Sequence, residues 1–297
     1  DGGVFSPLLP TAAAATTPAA GTVPTQIKIY TGVVANGALG TPCHGPRQMR
    51  DLSTMIRAEN GITRVRPFDL VRCADLGDVA PNPGDLMDSM ARMEAFYARV
   101  KARGIVPLTA GGDHLCTLPI LRALAKDAPL GMIHFDSHTD LFHSYFGGTM
   151  YTHGTPFRRA VEEGLLDPKR VCMIGIRGPA YDREDRDFAD SVGIRVIPIE
   201  ELFARGTDDV MAEAREIAGQ GDTYVSYDID FVDPAYAPGT GTPSHGGFLY
   251  YEVLELLAGL AKRGTVVGID LGNEFMKVRP SALNMWMPTG VLCMITW

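Results

Sequence analysis

The segment LGMIHFDSHTD (residues 130–140) joins a short apolar run to a group of residue types that bind metal ions. Its first part, LGMIHF (130–135), has the length and apolar content of a strand that is buried on both faces. Further runs of this kind recur along the chain and alternate with helical patterns. Strands separated by helices form a parallel sheet with helices on both faces. The sequence therefore predicts a single α/β domain, and no internal repeat is visible.

The predicted strands cover residues 27–34, 105–110, 130–135, 171–176, 194–197, 223–227 and 265–271. The predicted helices cover residues 84–103, 117–125, 209–218 and 250–263. Within 84–103, apolar residues such as Met90, Met93 and Tyr97 recur at steps of three and four, which is typical of a helix face that packs on a core. The segment TAAAATTPAAGTVPT (11–25) is of low complexity. We therefore expect residues 1–26 to form an N-terminal arm and residues 27–297 to form the catalytic domain.

Composition and charge exclude several classes of function. Of the 297 residues, 45% are hydrophobic, which is enough to bury a large core. The formal net charge of −8 argues against a nucleic-acid partner, because binding to phosphates requires a basic surface. Five cysteines without a CxxC pair indicate a reducing compartment, and we expect the cytoplasm. No apolar run approaches the length of a membrane helix, and no basic residue precedes Lys28, so we expect neither membrane association nor a signal peptide.

Metal-binding residue types follow three of the predicted strands, in the segments GGDH (111–114), DSHTD (136–140) and DIDFVDP (228–234). Ligands of parallel α/β sheets bind at the loops after the carboxyl ends of the strands. Residues two apart also project to the same side of an extended chain, so the acidic and histidine side chains of each segment are expected to converge. The candidate ligands are His114, Asp136, His138, Asp140, Asp228 and Asp230.

Four carboxylates and two imidazoles are a donor set that suits two divalent cations. Carboxylate-rich ligation without thiolate favours Mn²⁺ or a similarly hard ion over structural zinc. Two such ions can share a bridging hydroxide, because they lower the pKa of bound water towards 7. Each motif alone is also typical of a polar loop or a helix cap, whereas three motifs at three strand ends indicate metal-assisted hydrolysis.

These motifs resemble those of the ureohydrolase superfamily of arginases and agmatinases, and most closely its agmatinase and guanidinobutyrase-like branch. The resemblance also rests on HGTPFRRA (153–160) and SYDIDFVDPAYAPGTGTP (226–243), and it covers roughly residues 45–270. It implies a three-layer α/β/α fold with a mainly parallel central sheet and a binuclear Mn²⁺ site at the six candidate ligands. It also implies hydrolysis at a guanidino carbon, usually with release of urea, and an oligomer that is commonly a trimer or a hexamer.

The resemblance further implies roles for three residues. His153 matches the family's mobile histidine and is expected to pass a proton to the departing amine, although a histidine that only hydrogen-bonds within its loop stays open. Asp140 is expected to orient the hydroxide that attacks the guanidino carbon. Glu274 is expected to face the substrate guanidinium, because burying a cation requires a paired charge. It lies one position later than the family spacing Asp-x-x-Glu.

Three other side chains near the motifs have less specific readings. His134 lies within a predicted strand and is expected to pack or to support a ligand from behind. His245 lines the substrate entrance or is an inert loop residue, and the sequence leaves both open. Asp233 is expected to fix a loop rather than to bind a metal.

Two stretches depart from the family pattern, namely residues 33–40 (VVANGALG) and the tail after Asp270, which contains Met285, Trp286 and Met287. An apolar lining suits a small alkyl-substituted guanidine or biguanide. These departures resemble the metal-bearing subunit of metformin hydrolases, which would imply Ni²⁺ and a second ureohydrolase-like chain. We therefore expect a hydrolase of a guanidino-type C–N bond in a small cationic substrate. The alternatives are an agmatinase or guanidinobutyrase, a non-catalytic partner subunit, and a zinc deacetylase-like hydrolase.

Overall fold

A computed structural model of the chain describes residues 72–145, 147–249 and 265–272, the backbone of 27–32, and residues 46, 50, 57–59, 64, 66–70, 252, 253 and 256. The predicted arm (1–26), the stretch 33–40 and all residues after 272 lie outside this described part. The boundaries of the predicted catalytic domain therefore stay a prediction.

The strands form a parallel sheet in the order β2-β1-β3-β8-β7-β4-β5-β6. They are β1 (Ile27–Gly32), β2 (Asp78–Val79), β3 (Val106–Ala110), β4 (Leu130–Phe135), β5 (Leu166–Ile176), β6 (Arg195–Pro198), β7 (Asp222–Asp228) and β8 (Thr265–Gly272). The helices are α1 (Pro67–Leu70), α2 (Leu86–Lys101), α3 (Thr117–Leu124), α4 (Pro156–Glu162), α5 (Glu184–Val192), α6 (Ile199–Arg205) and α7 (Thr207–Ala218). Residues 252, 253 and 256 are also helical.

The sheet separates two apolar layers, as the α/β/α prediction requires. Alternate residues of β4 point to opposite faces, because side chains in a strand alternate with period two. Ile133 and Phe135 pack in a core with residues of α6 and α7, whereas Met132 packs in a second core with residues of α2 to α5. Among the described residues, no helix is long and apolar enough to cross a membrane.

The central strands lie in the order β3, β8, β7 and β4, so β3 and β4, which are consecutive strands along the chain, are separated by two later strands. Strands β4, β5 and β6 follow one another towards one edge of the sheet. The chain then crosses back, and β7 and β8 lie between β4 and β3. Ligand sites of parallel sheets form where the strand order reverses in this way. The loops that follow β3, β4 and β7 therefore meet at one edge.

Helix α2 and strand β4 confirm their predictions, whereas β5 is longer than predicted. It begins at Leu166 rather than at residue 171, and its pairing with β4 shifts register between Leu130/Leu166 and Met132/Val171. The first half of this strand contains the polar stretch DPKR (167–170), so it lacks the apolar pattern by which strands were predicted. Strand β2 and helices α1, α4, α5 and α6, which have two to nine residues, were not predicted.

Gly175 near the end of β5 is required by both its conformation and its neighbours. Its φ is +95°, and a Cβ there would lie 2.3 Å from the Phe231 ring and 3.2 Å from the carbonyl oxygen of Asp136. We predict that Gly175→Ala lowers the free energy of unfolding by about 1–2 kcal/mol for the left-handed backbone plus about 1–3 kcal/mol for the clash.

Gly164→Ala is the matched control, because Gly164 has φ +71° and nothing within 4 Å of its Cβ position. Urea unfolding of both variants separates the two costs. Equal losses of stability in the two variants would contradict the proposed contact with Phe231.

Candidate metal centre

The loop after β3 brings His114 to the sheet edge in a short 3₁₀ turn (His114–Cys116). The Asp113 carboxylate caps this turn by accepting a hydrogen bond of 2.9 Å from the Leu115 backbone N–H. Gly111 precedes it and donates its backbone N–H to the Leu271 carbonyl oxygen at 2.9 Å. The GGDH segment therefore ties the carboxyl end of β3 to that of β8.

Asp140 and Asp230 reach the site through turns, and the prediction that extended alternation brings them there was wrong. Asp140 has φ +53°, a left-handed conformation that aspartate tolerates better than most residues. Asp230 lies in a 3₁₀ turn (Ile229–Phe231), and its backbone N–H donates to the Asp228 carboxylate at 2.9 Å. The aspartates converge because the chain bends at both strand ends.

The first cluster surrounds the Nδ1 atom of His114, which is buried. This nitrogen lies 2.9 Å from Asp140 Oδ2, 3.1 Å from Asp228 Oδ2 and 3.4 Å from Asp136 Oδ2. Among the described residues, none makes a hydrogen bond of normal geometry to this nitrogen. Three carboxylate oxygens and one imidazole nitrogen that point at a common centre are the donors expected around a divalent cation.

The second cluster joins His138 to the other oxygen of Asp136. His138 Nδ1 lies 3.1 Å from Asp230 Oδ2 and 3.4 Å from Asp136 Oδ1, and its side chain is 37% exposed. Ser137 donates to Asp230 Oδ1 through its backbone N–H at 3.1 Å and its hydroxyl at 2.7 Å. The DSHTD segment is thus divided between two clusters, and the Asp136 carboxylate faces both.

The pKa values of the cluster show how strongly it attracts positive charge. Burial and the charges of Asp230 and Asp136 raise the pKa of Asp228 well above its usual range. Burial alone would lower the pKa of His138, but Asp230 and Asp136 outweigh it and raise the pKa to about 12. His114 shows the same balance, since its three neighbouring aspartates overcome burial and raise its pKa. Protons and cations therefore compete for this site, and metal binding releases protons.

His134 supports the cluster from behind, as predicted. Its Nε2 lies 2.9 Å from Asp136 Oδ2, and its ring packs 4.5 Å from the Phe157 ring centroid. His114, His134 and Asp136 offer ligand-type atoms within 4.8 Å of one another, as do Asp136, His138 and Asp230. Because His134 Nε2 already contacts Asp136, we interpret His134 as a group that orients this carboxylate.

His153 is not among the residues that form the two clusters, and its ring contacts Tyr145. It is half-buried, and its ring stacks on Tyr145 with ring centroids 6.0 Å apart. Gly154 permits this approach, because a Cβ at that position would lie 2.2 Å from the Tyr145 ring. Burial and then the charge of Asp140 raise the pKa of Tyr145, so its hydroxyl stays protonated at neutral pH.

The loop that carries His245 is fixed by Asp233 and Arg177. Asp233 Oδ2 accepts the backbone N–H groups of Gly246 and Gly247 at 2.9 and 3.0 Å, which confirms that Asp233 fixes a loop. The Arg177 guanidinium donates to the carbonyl oxygens of Asp230 at 2.6 Å and His245 at 3.1 Å. The His245 side chain is exposed. Glu274 and the cluster of Met285, Trp286 and Met287 lie outside the described residues.

Sequence reasoning missed the hydroxyl groups that hold the aspartates. Thr242 Oγ1 donates to Asp230 Oδ2 at 3.1 Å, and Ser226 Oγ bridges His114 and Asp270 at 2.9 and 2.7 Å. One signal for these hydroxyl groups was present in the sequence, namely Asp270 within the apolar run TVVGIDL (265–271). A carboxylate in a buried strand requires hydrogen-bond donors nearby.

Gly272 at the end of β8 leaves room for His114. A Cβ there would lie 2.9 Å from Cδ2 and 3.3 Å from Nε2 of the imidazole. We predict that Gly272→Ala displaces this ring and weakens Mn²⁺ binding by about tenfold or more, since ligand geometry sets metal affinity. The measurement is Mn²⁺ titration by calorimetry.

Gly268→Ala is the control, because its Cβ would meet Leu124 and Tyr224, both at 2.7 Å, on the same strand. It is expected to lower stability and to retain Mn²⁺ affinity. A Gly272→Ala protein that binds Mn²⁺ as tightly as Gly268→Ala would contradict the prediction.

The chain is similar over most of its length to known amidine-cleaving enzymes. A model of the arginase family matches residues 38–280. Guanidinopropionase of Pseudomonas aeruginosa is 52% identical over 238 residues, which are 80% of this chain and 73% of that protein. Mitochondrial agmatinase of Gallus gallus is 46% identical over 228 residues, which are 76% of this chain and 66%, just under two thirds, of that protein.

Comparison of the fold with solved structures indicates the same relationship. The solved structure of proclavaminate amidino hydrolase from Streptomyces clavuligerus superposes with a TM-score of 0.85 at 31% identity, covering 92% of this chain and 91% of that one. The three-layer parallel fold is therefore shared with that protein. The chain belongs to the arginase family, in its agmatinase-like branch, and the members of this family are amidinohydrolases that act on C–N bonds in amidines.

Proposed function

We propose that this chain hydrolyses a small guanidino acid with the aid of two divalent cations. Water adds at the guanidino carbon, the bond from that carbon to the alkyl nitrogen breaks, and the products are urea and the corresponding amino acid. The support for this substrate class is the 52% identity to a protein named guanidinopropionase, against 46% to one named agmatinase. A biguanide substrate, which the departures of residues 33–40 and 285–287 suggested, stays a prediction.

The observation that carries the proposal is the shared carboxylate of Asp136. Its Oδ2 faces His114 Nδ1 at 3.4 Å and its Oδ1 faces His138 Nδ1 at 3.4 Å, so one side chain addresses two imidazoles. The donor set fits a pair of cations, because His114 Nδ1 is buried, is surrounded by carboxylates, and has no hydrogen bond of normal geometry within the part of the chain that the structure describes. The residues proposed to hold the ions are His114, Asp136, His138, Asp140, Asp228 and Asp230.

Oxygen-rich ligation favours Mn²⁺, and Ni²⁺ is the alternative if the protein proves similar to metformin hydrolases. When bound, such ions acidify water to give a nucleophile near neutral pH and offset the negative charge that develops during attack. We propose that Asp140, which lies 2.9 Å from His114 Nδ1, accepts a hydrogen bond from the attacking water and orients it. We propose that His153 gives a proton to the departing amine, since imidazole donates and accepts near neutral pH.

A substrate panel tests the reaction class. Urea release is measured from 3-guanidinopropionate, 4-guanidinobutyrate, agmatine and arginine, and loss of substrate from metformin, with Mn²⁺ and Ni²⁺ in parallel. We predict the highest kcat/KM for a guanidino acid with Mn²⁺. Activity on agmatine alone would contradict the proposed guanidino-acid substrate and favour a guanidino amine instead. The absence of metal-dependent product from every compound would contradict the proposed hydrolase activity.

Asp136→Asn tests the shared ligand. We predict loss of both ions and a fall in kcat/KM by at least about three orders of magnitude, because metal catalysis supplies several kcal/mol. Asp127→Asn is the control, since this carboxylate is 81% exposed and pairs with Lys101. Metal content is measured by mass spectrometry. Two retained ions in Asp136→Asn would contradict the role of Asp136.

His153→Ala tests the proton transfer. We predict a fall in kcat of about 10²–10⁴-fold with metal content unchanged, and partial recovery with added imidazole. His245→Ala, with its exposed side chain, is expected to retain activity. Full activity of His153→Ala would leave His153 as a histidine that only hydrogen-bonds within its loop.

We also propose a trimer or hexamer, which sedimentation measures. A chain that becomes active on metformin only after a second ureohydrolase-like chain is added would favour the heteromeric alternative. A chain that is inactive alone, binds no metal and co-purifies with an active relative would favour a non-catalytic partner subunit.

A further inference from the structure

Asp270 is a buried carboxylate held by three hydroxyl groups. Its Oδ2 accepts hydrogen bonds from Thr117 Oγ1 at 2.6 Å and Tyr224 OH at 2.8 Å, and its Oδ1 accepts one from Ser226 Oγ at 2.7 Å. Its side chain is fully buried on β8, where an uncompensated charge would be costly. The His114 ring is also close, with Nε2 4.0 Å from Asp270 Oδ1.

Ser226 links this carboxylate to His114. A hydroxyl carries a single hydrogen, and Ser226 donates it to Asp270. The contact of 2.9 Å between Ser226 Oγ and His114 Nε2 therefore has the imidazole N–H as donor and the serine oxygen as acceptor. This arrangement places the proton of a neutral His114 on Nε2 and leaves the lone pair of Nδ1 directed at Asp136, Asp140 and Asp228.

The same ring is confined on its other sides. Any side chain larger than that of glycine at position 272 would contact the His114 ring. The Phe157 ring packs edge-on against the same imidazole, with ring centroids 5.3 Å apart. Ser226 therefore sets the tautomer of a ring whose position is already fixed by packing. His138 has a different environment, because its Nδ1 contacts Ser137 Oγ at 3.1 Å and its side chain is 37% exposed.

We propose that Ser226 and Asp270 form a positioning relay that sets how tightly the His114 cluster holds its cation, while the His138 cluster depends on it much less. This inference rests on the proposed binuclear site. Hydrogen bonds behind a metal-binding histidine fix its tautomer and raise its basicity, and their loss costs about 10–100-fold in metal affinity. Ser226 and Asp270 contact neither substrate nor cation in this proposal and act through His114.

The test measures Mn²⁺ affinity and stoichiometry by calorimetry and by mass spectrometry after gel filtration. Wild-type protein is expected to hold two ions, and Ser226→Ala to bind one of them about 10–100-fold more weakly. Electron paramagnetic resonance gives a second readout, because the signal of a coupled Mn²⁺ pair changes to that of an isolated ion when one site empties. Tyr224→Phe is the matched control, since it removes a hydroxyl from Asp270 but leaves the Ser226 link.

The His138→Ala background identifies which ion is affected. His138→Ala alone is expected to retain the ion of the His114 cluster, and the Ser226→Ala/His138→Ala double variant to lose it. If Ser226→Ala does not fold, Asp270→Asn replaces it, because the amide keeps an acceptor while removing the charge. Thermal unfolding identifies variants that lose structure.

Three outcomes decide the matter. Two ions bound by Ser226→Ala with wild-type affinity would overturn the relay. Equal weakening in Ser226→Ala and Tyr224→Phe would reduce its role to general support of β8 and would also overturn it. Wild-type protein that binds no Mn²⁺ would contradict the proposed function itself, which separates that failure from a failure of the relay.

Discussion

The mutual repulsion of buried carboxylates is the constraint on which this site depends. Asp136, Asp228 and Asp230 are at most 2% exposed, and their oxygens face the same small volume. Carboxylates brought together in a medium of low dielectric constant require positive charge or hydrogen-bond donors within reach. The structure supplies the His134 imidazole from β4, the Ser137 hydroxyl from the loop after β4 and the Asp230 backbone N–H from the turn after β7. The charges that suit a cation thus also hold these loops against one another.

The strand order makes that gathering geometrically possible. Strands β7 and β8 are inserted between β4 and β3, so residues from distant parts of the chain meet at one sheet edge. Thr117, at the start of α3, donates to Asp270 on β8, and Ser226 on β7 links Asp270 to His114 after β3. Because each contact joins elements that are distant in the sequence or in the sheet, displacement of one element would disturb ligands on the others.

Close approach of backbone and side chains gives the site its rigidity. Gly175 accommodates the Phe231 ring beside the carbonyl oxygen of Asp136, and Gly272 accommodates His114. Asp140 adopts a left-handed backbone, which turns its carboxylate towards the imidazole instead of continuing an extended strand. Such positions leave the ligand side chains little freedom to move. Preorganised ligands favour metal binding over protonation of the same side chains.

The sequence alone determined the local elements and the residue types of the site. The apolar run LGMIHF predicted β4 with its bounds, and the periodic stripe predicted α2, because burial of apolar residues depends on patterns that can be read locally. The placement of His and Asp residues after three strands predicted the candidate ligands. Tertiary structure decided how they are shared: Asp136 between two clusters, Asp140 with His114, and His138 with Asp230. It also decided the role of Asp270, since its three hydroxyl donors lie on elements that only strand pairing and helix packing bring beside it.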